Sequence, residues 1–240
     1  MLSAIAIVPS APVLVPELMG TAATEVADLR EAVLAAAAAL PGQWIAIGVG
    51  ATDAVFGSDR AGTFAGYGVD IPVALGPAAA APTELPLCAL IAGWLRGQVN
   101  PVARVQVRTY AATHPVDTAV AQGARLRVEL DGFADPVGVL VVADGANTLT
   151  PSAPGGYDPD AVAVQQALDD ALACGDTAAL TRLPDTILGR VGHQVLAGLA
   201  GSGPRTARQL YRGAPYGVGY FAGVWTAPAG WSEATGESAP

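Results

Sequence analysis

Two histidines, His114 and His193, are the whole imidazole complement of this 240-residue chain. A histidine-rich metal site therefore cannot be assembled from it. His114 stands in Thr113-His114-Pro115 at a helix start, where an imidazole either hydrogen-bonds the adjoining loop or faces a pocket. His193 lies in Gly192-His193-Gln194-Val195, and a structural, hydrogen-bonded, partly buried ring is the expectation there. Asp144 follows the most apolar segment of the chain, where a carboxylate either accepts backbone N–H groups or contacts a ligand. Asp53, Asp59 and Arg60 follow another apolar segment and suit either a polar ligand or a solvated loop. Ser10 and Asn147 can donate hydrogen bonds to a bound molecule. Tyr157, Tyr220, Phe221 and Trp225 read as core or interface residues before they read as stacking partners for a substrate. Gly48, Gly50 and Gly57 make no phosphate-binding loop, because no G-x-G-x-x-G or Walker pattern follows a strand. No G-x-S-x-G nucleophile elbow occurs either. Cys88 and Cys174 are far apart and read as two reduced, partly buried thiols.

The elements that must position these residues alternate. Leu2–Val8 is short, apolar and bounded by Pro9, as a buried parallel strand is. Thr24–Leu40 repeats its apolar residues at helical spacing, with Thr24 as cap and Asp28 in the first turn. Trp44–Val49 reads as a second strand and Asp70–Leu75 as a third. Glu84–Gln98 is an amphipathic helix with Pro86 in its first turn. Arg104–Tyr110 alternates like a strand with one polar face, and a helix from Thr113 runs to about Leu130. Val137–Ala143 should be the central strand. Helices are expected at Ala161–Cys174, Thr177–Leu183 and Thr186–Ala200, and a last strand at Gly217–Thr226. The fold class is α/β: one doubly wound, mostly parallel sheet with helices on both faces, formed by residues 1–226 as a single domain. Residues 227–240 read as a flexible C-terminal tail. In such sheets ligands sit beyond the carboxyl ends of the strands. That rule selects Pro9–Met19, Gly48–Arg60, Ala111–Asp117 and Asp144–Tyr157.

Composition narrows the partners. The chain is 52% hydrophobic and 14% charged, which excludes disorder for its bulk. Its 12 basic residues, all arginine, face 21 acidic ones for a net charge of −9. That balance offers no footprint for nucleic acid or an anionic membrane. No apolar stretch is long enough to span a bilayer. The apolar start lacks a basic n-region and is broken by Pro9, Pro12 and Pro16, unlike a signal peptide. A soluble, cytoplasmic protein is expected.

From Ala143 to Ala161 the sequence reads ADGANTLTPSAPGGYDPDA. This run resembles the G-D-L-S-H-x-L-T-P-x-A-P-x-G-Y-D-P signature of the class III extradiol ring-cleavage dioxygenase family, in its LigB-like and Memo-like branches. Asp144, Leu149, Thr150, Pro151, Ala153, Pro154, Gly156, Tyr157, Asp158 and Pro159 match it. The opening PSAPVLVPE is similar to that family's P-H-P-P-L-L-V-P-E. Gly189–Leu199 and the later APYGVGYF resemble its C-terminal half. The resemblance implies an iron(II) enzyme that opens catechol rings with dioxygen. Two histidines and a carboxylate would hold the metal, and a further histidine would serve as acid/base.

Position by position, those groups are replaced. The first metal histidine falls on Ser10, the second at or beside Gly50, and the acid/base histidine on Asn147. The late carboxylate or cysteine ligand falls near Leu188. His114 matches a pocket histidine of many relatives. The candidate pocket is therefore Ser10, Gly50, Asp53, His114, Asp144, Asn147, Tyr157 and His193, with no metal, no cofactor and no confident catalytic residue. The leading expectation is a degenerate member that binds a small aromatic or polar metabolite, or a protein partner, and does not open rings. An enzyme with metal-independent chemistry on such a substrate is one alternative. A structural component of a hetero-oligomer is another. A homo-oligomer is expected through the edge of the glycine-alternating C-terminal strand.

Overall fold

Long apolar runs in which every residue is buried determine the architecture. The computed structural model describes residues 1–203 and 205–226; the expected tail at 227–240 lies outside them. In chain order the elements are β1 (Leu2–Val8), α1 (Pro16–Met19), α2 (Ala27–Ala38), β2 (Gln43–Gly50), β3 (Ala54–Phe56), β4 (Ala61–Thr63), β5 (Pro72–Ala74) and α3 (Leu87–Val99). They continue with β6 (Arg104–Ala111), α4 (Val116–Asp131), β7 (Val137–Val142), α5 (Ala161–Cys174), α6 (Thr177–Leu180), α7 (Arg190–Ala200), β8 (Thr206–Gly213) and β9 (Tyr220–Thr226). Short 3-10 turns connect several of them.

Seven strands form one sheet in the order β3-β6-β2-β7-β1-β9-β8. The four middle strands β6, β2, β7 and β1 run parallel; β3, β9 and β8 join antiparallel at the margins. β7 is central and buried at all six positions. The alternation of side chains sorts the core into two layers. Ala4, Ala6, Val8, Trp44, Ala46 and Leu140 face the layer that includes α2 and α3. Ile5, Ile7, Ile45, Ile47, Val139 and Val141 face α4, α5 and α7. Each fully buried isoleucine or leucine contributes about 1.5–3 kcal/mol of transfer free energy.

Several expectations are corrected. Asp70–Leu75 is not a strand of the main sheet. Its short strand begins at Pro72, which has no N–H to donate, and pairs locally with Ala61–Thr63. The first long helix begins at Ala27 with Val26 at its cap, after a 3-10 turn over Gly20–Thr24, so Thr24 caps nothing there. The C-terminal strand β9 is not an edge: β1 and β8 flank it, and β8 forms the margin that the sequence concealed. Of the thiols, Cys88 is buried and Cys174 exposed, and both are free.

Helices α4 and α7 cross with their backbones in contact. A methyl built on Gly123 would collide with the carbonyl oxygen of Val195, and one on Gly198 with that of Val120. Gly97 of α3 has open space around it. Gly123→Ala is therefore expected to lower stability by about 1–3 kcal/mol through overpacking. Gly97→Ala should be neutral or raise it by about 0.5–1 kcal/mol through helix propensity. Urea unfolding of the two variants beside the parent protein checks the contrast.

Candidate functional site

Because β1, β7, β2 and β6 are parallel neighbours, their carboxyl ends deliver four loops to one edge of the sheet. The candidate residues gather there in two groups. At the β1 and β7 ends, the backbone N–H of Ser10 donates to Asp144 Oδ1 at 2.8 Å. This bond ties two loops 134 residues apart in sequence. Asp144 keeps some solvent access while protein surrounds it on nearly every side. Burial pushes its carboxyl up to about 7, and the Ser10 N–H partly opposes that rise. The Asp144 carbonyl accepts from Gly189 N–H at 2.9 Å, which docks the segment leading into α7.

His193 stands in the first turn of α7, behind this loop. It is 1% exposed, and neither ring nitrogen finds a hydrogen-bond partner. The expected hydrogen-bonded, partly buried ring is thus corrected on both counts. Burial pushes its pKa down to about 4, and the nearby Asp144 backbone opposes this without the geometry of a hydrogen bond. Neutral imidazole is the resident form near pH 7.

At the β2 and β6 ends, His114 Nε2 lies 2.7 Å from Asp53 Oδ1, and the same oxygen accepts from Ala111 N–H at 2.8 Å. Arg190 of α7 donates to the His114 carbonyl at 3.2 Å, to that of Ala112 at 3.2 Å and to Gln194 Oε1 at 3.0 Å. Its Nε pairs with Asp185 at 2.9 Å. Gly50 lies at this edge with its carbonyl bound to Ala112 N–H at 3.0 Å. A side chain at Gly50 would press on Thr109. Asn147 packs over the backbone of Gly155, whose N–H it binds through its own carbonyl at 3.0 Å. Tyr157 is 55% exposed and joins neither group.

The loop after β7 is braced from within by Gln165 of α5. Its Oε1 accepts from Ala146 N–H at 2.8 Å and its Nε2 donates to Asp169 at 2.8 Å. Gly145 and Gly219 close against the amide so tightly that neither could carry a Cβ. Asp169 is itself buried, and its carboxyl rises to about 6 despite the Gln165 hydrogen bond. Gly145 and Ala146 exchange backbone bonds with Gly219 at 2.8 Å each, which brings Tyr220 to the cleft beside Asp144.

Beyond that point a cleft of about 400 Å³ is lined by Val13, Met19, Ser152, Pro154, Tyr216, Val218 and Tyr220. This lies within the range of small-molecule sites. Tyr216 has φ 58°, an uncommon backbone for a tyrosine, and its hydroxyl donates to Glu25 at 2.8 Å.

The positions at which the dioxygenase resemblance implies iron ligands and an acid/base histidine lie in the segments along the carboxyl edge of the sheet. Of the ligand positions, Ser10 follows β1, Gly50 ends β2, and Leu188 N–H binds the Gly145 carbonyl at 3.1 Å; Asn147, the acid/base position, follows β7. The donor set does not fit ferrous iron: a serine, a glycine and a leucine supply neither imidazole nor carboxylate. Among the described residues, no three His, Cys, Asp or Glu side chains are placed to hold a metal. No described helix is long and apolar enough to cross a membrane.

No protein-family model matches the chain, and no curated protein does. Among solved structures, the fold resembles the crystal structure of uncharacterised protein JW3007 from Escherichia coli K12. The TM-score is 0.58 at 11% identity, over 94% of this chain and 100% of that one. At that identity the likeness shows the fold alone.

The two perturbed groups give opposed pH dependences. Asp144 holds its proton to about 7 when folded, against an ordinary 3.8. Its contribution to stability is full below that ordinary value and is lost as pH rises through about 7. His193, depressed from 6.5 to about 4, contributes fully above 6.5 and loses its contribution as pH falls through about 4. Asp144→Asn removes the first trend and leaves the second. The variant is expected to gain stability relative to the parent as pH rises from about 4 to about 8. Urea midpoints across that range check this; a constant difference would contradict the assignment.

Proposed function

We propose that this chain is an extradiol dioxygenase-like protein in which ring cleavage has given way to binding of a small molecule. One observation carries the reading. The segments that would supply the iron ligands and the acid/base histidine lie at the carboxyl edge of β1, β2 and β7, yet they present Ser10, Gly50 and Leu188 for the ligands and Asn147 for the base. The remaining polar apparatus is suited to orienting a bound molecule. Asp144, which adjoins the cleft residue Tyr220, can donate or accept near neutrality, because burial holds its carboxyl at about 7. The brace through Gln165 fixes the loop around it, so the ordering cost is met on folding rather than on binding. The apolar cleft between Val13, Met19 and Val218 accommodates the body of a ligand.

Two measurements test this. Protein purified anaerobically and mixed with equimolar ferrous iron is expected to lose the metal on desalting and to leave catechol uncleaved in air. Retained stoichiometric iron with ring-opening turnover would sink the proposal. A thermal-shift screen of aromatic, amine and phosphorylated metabolites should yield compounds that raise the melting temperature, as ligands of the native state must. A screen without a single stabilising compound would count against a binding role.

A further inference from the structure

The cleft beside Asp144 has a chemistry of its own. Two tyrosines, Tyr216 and Tyr220, and Ser152 stand among apolar lining residues, and none of the described lining residues is basic. Two carboxylates adjoin these tyrosines. Glu25 accepts the Tyr216 hydroxyl at 2.8 Å. Asp144 lies close enough to Tyr220 for its charge to help push that phenol up. Arg30, the only arginine in the stretch from Pro9 through α2, turns one guanidinium nitrogen to the Ala23 carbonyl at 3.0 Å. The chain carries a net charge of −9 and no lysine. An anionic head group would enter this cleft against two carboxylates, with no base lining it. An ammonium would find those carboxylates and the faces of tyrosine rings.

We propose that the cleft formed by Val13, Met19, Ser152, Pro154, Val218 and the two tyrosines is a binding site for a small organic amine, its ammonium directed to Asp144 and Glu25 and its apolar body against Val13, Met19 and Val218. The inference rests on the small-molecule reading above and names the class of ligand.

The sequence supplies its own reporter. The chain has two methionines. Met19 lines the cleft, while Met1 is bound to the Phe133 carbonyl at the opposite end of β1. Protein labelled at the methionine methyls with carbon-13 is titrated with phenethylamine, phenethyl alcohol and phenylacetate. The expected result is a saturable shift of the Met19 signal with Met1 unmoved, tightest for the amine and weakest for the acid. Asp144→Asn should weaken amine binding about tenfold. Glu25→Gln, an exposed substitution that leaves the core untouched, should weaken it about threefold. Neither should change binding of the alcohol. Phenylacetate binding as tightly as phenethylamine would overturn the amine assignment and leave the small-molecule reading standing. A Met19 signal that none of the three probes moves would overturn the site itself, and a stabilising compound from the wider screen would then point to another cleft.

Discussion

Burial of the middle strands on both faces is the constraint on which everything else depends. β7 has no exposed residue, and β1 and β2 are buried through most of their length. Such strands need helical cover above and below. Helical crossovers between the parallel strands supply that cover and return the chain to the same end each time. The carboxyl ends of β1, β7, β2 and β6 therefore cannot avoid one another. Ser10, Asp144, Asp53 and His114 share an edge because the sheet has no other way to be covered.

What the edge then holds depends on how firmly its loops are pinned. The loop after β7 is tied by a side chain at its base, by backbone bonds to Gly219 and by the Ser10 N–H on the Asp144 carboxylate. Each bond is worth only about 1 kcal/mol net. Removing one partner costs more, because a buried polar group is left without satisfaction. His193 is the exception within this network. Its unpaired ring nitrogens survive because α7 is fixed by its contact with α4, and the ring stays neutral.

The sequence made the sheet legible where strands are apolar on both faces. The runs Leu2–Val8, Trp44–Val49 and Val137–Ala143 were readable for that reason. It hid β8, whose TARQLYRG carries the polar pattern of a margin strand and reads as loop. It misplaced Pro72–Ala74, since local pairing with Ala61–Thr63 leaves no mark in a three-residue run. The rule for strand ends selected loops that do lie along one edge of the sheet, but it could not pair Asp53 with His114 across 61 residues. Gln165 was invisible, because a glutamine within a helix is ordinary until the turn packed against it is known. The cleft was half hidden: Val13, Met19, Ser152 and Pro154 lie in loops that the rule selects, but Tyr216, Val218 and Tyr220 join them from the far end of the described chain.

That last feature bears on how the protein comes into being. Val13 and Met19 leave the ribosome some two hundred residues ahead of Val218 and Tyr220. The early strands β1 and β2 can be made long before their cleft has its second wall. Synthesis proceeds from the N-terminus at about 5–20 residues per second, so for some seconds the growing chain carries one wall of the cleft without the other. A molecule that filled the cleft would engage only copies in which both walls are in place.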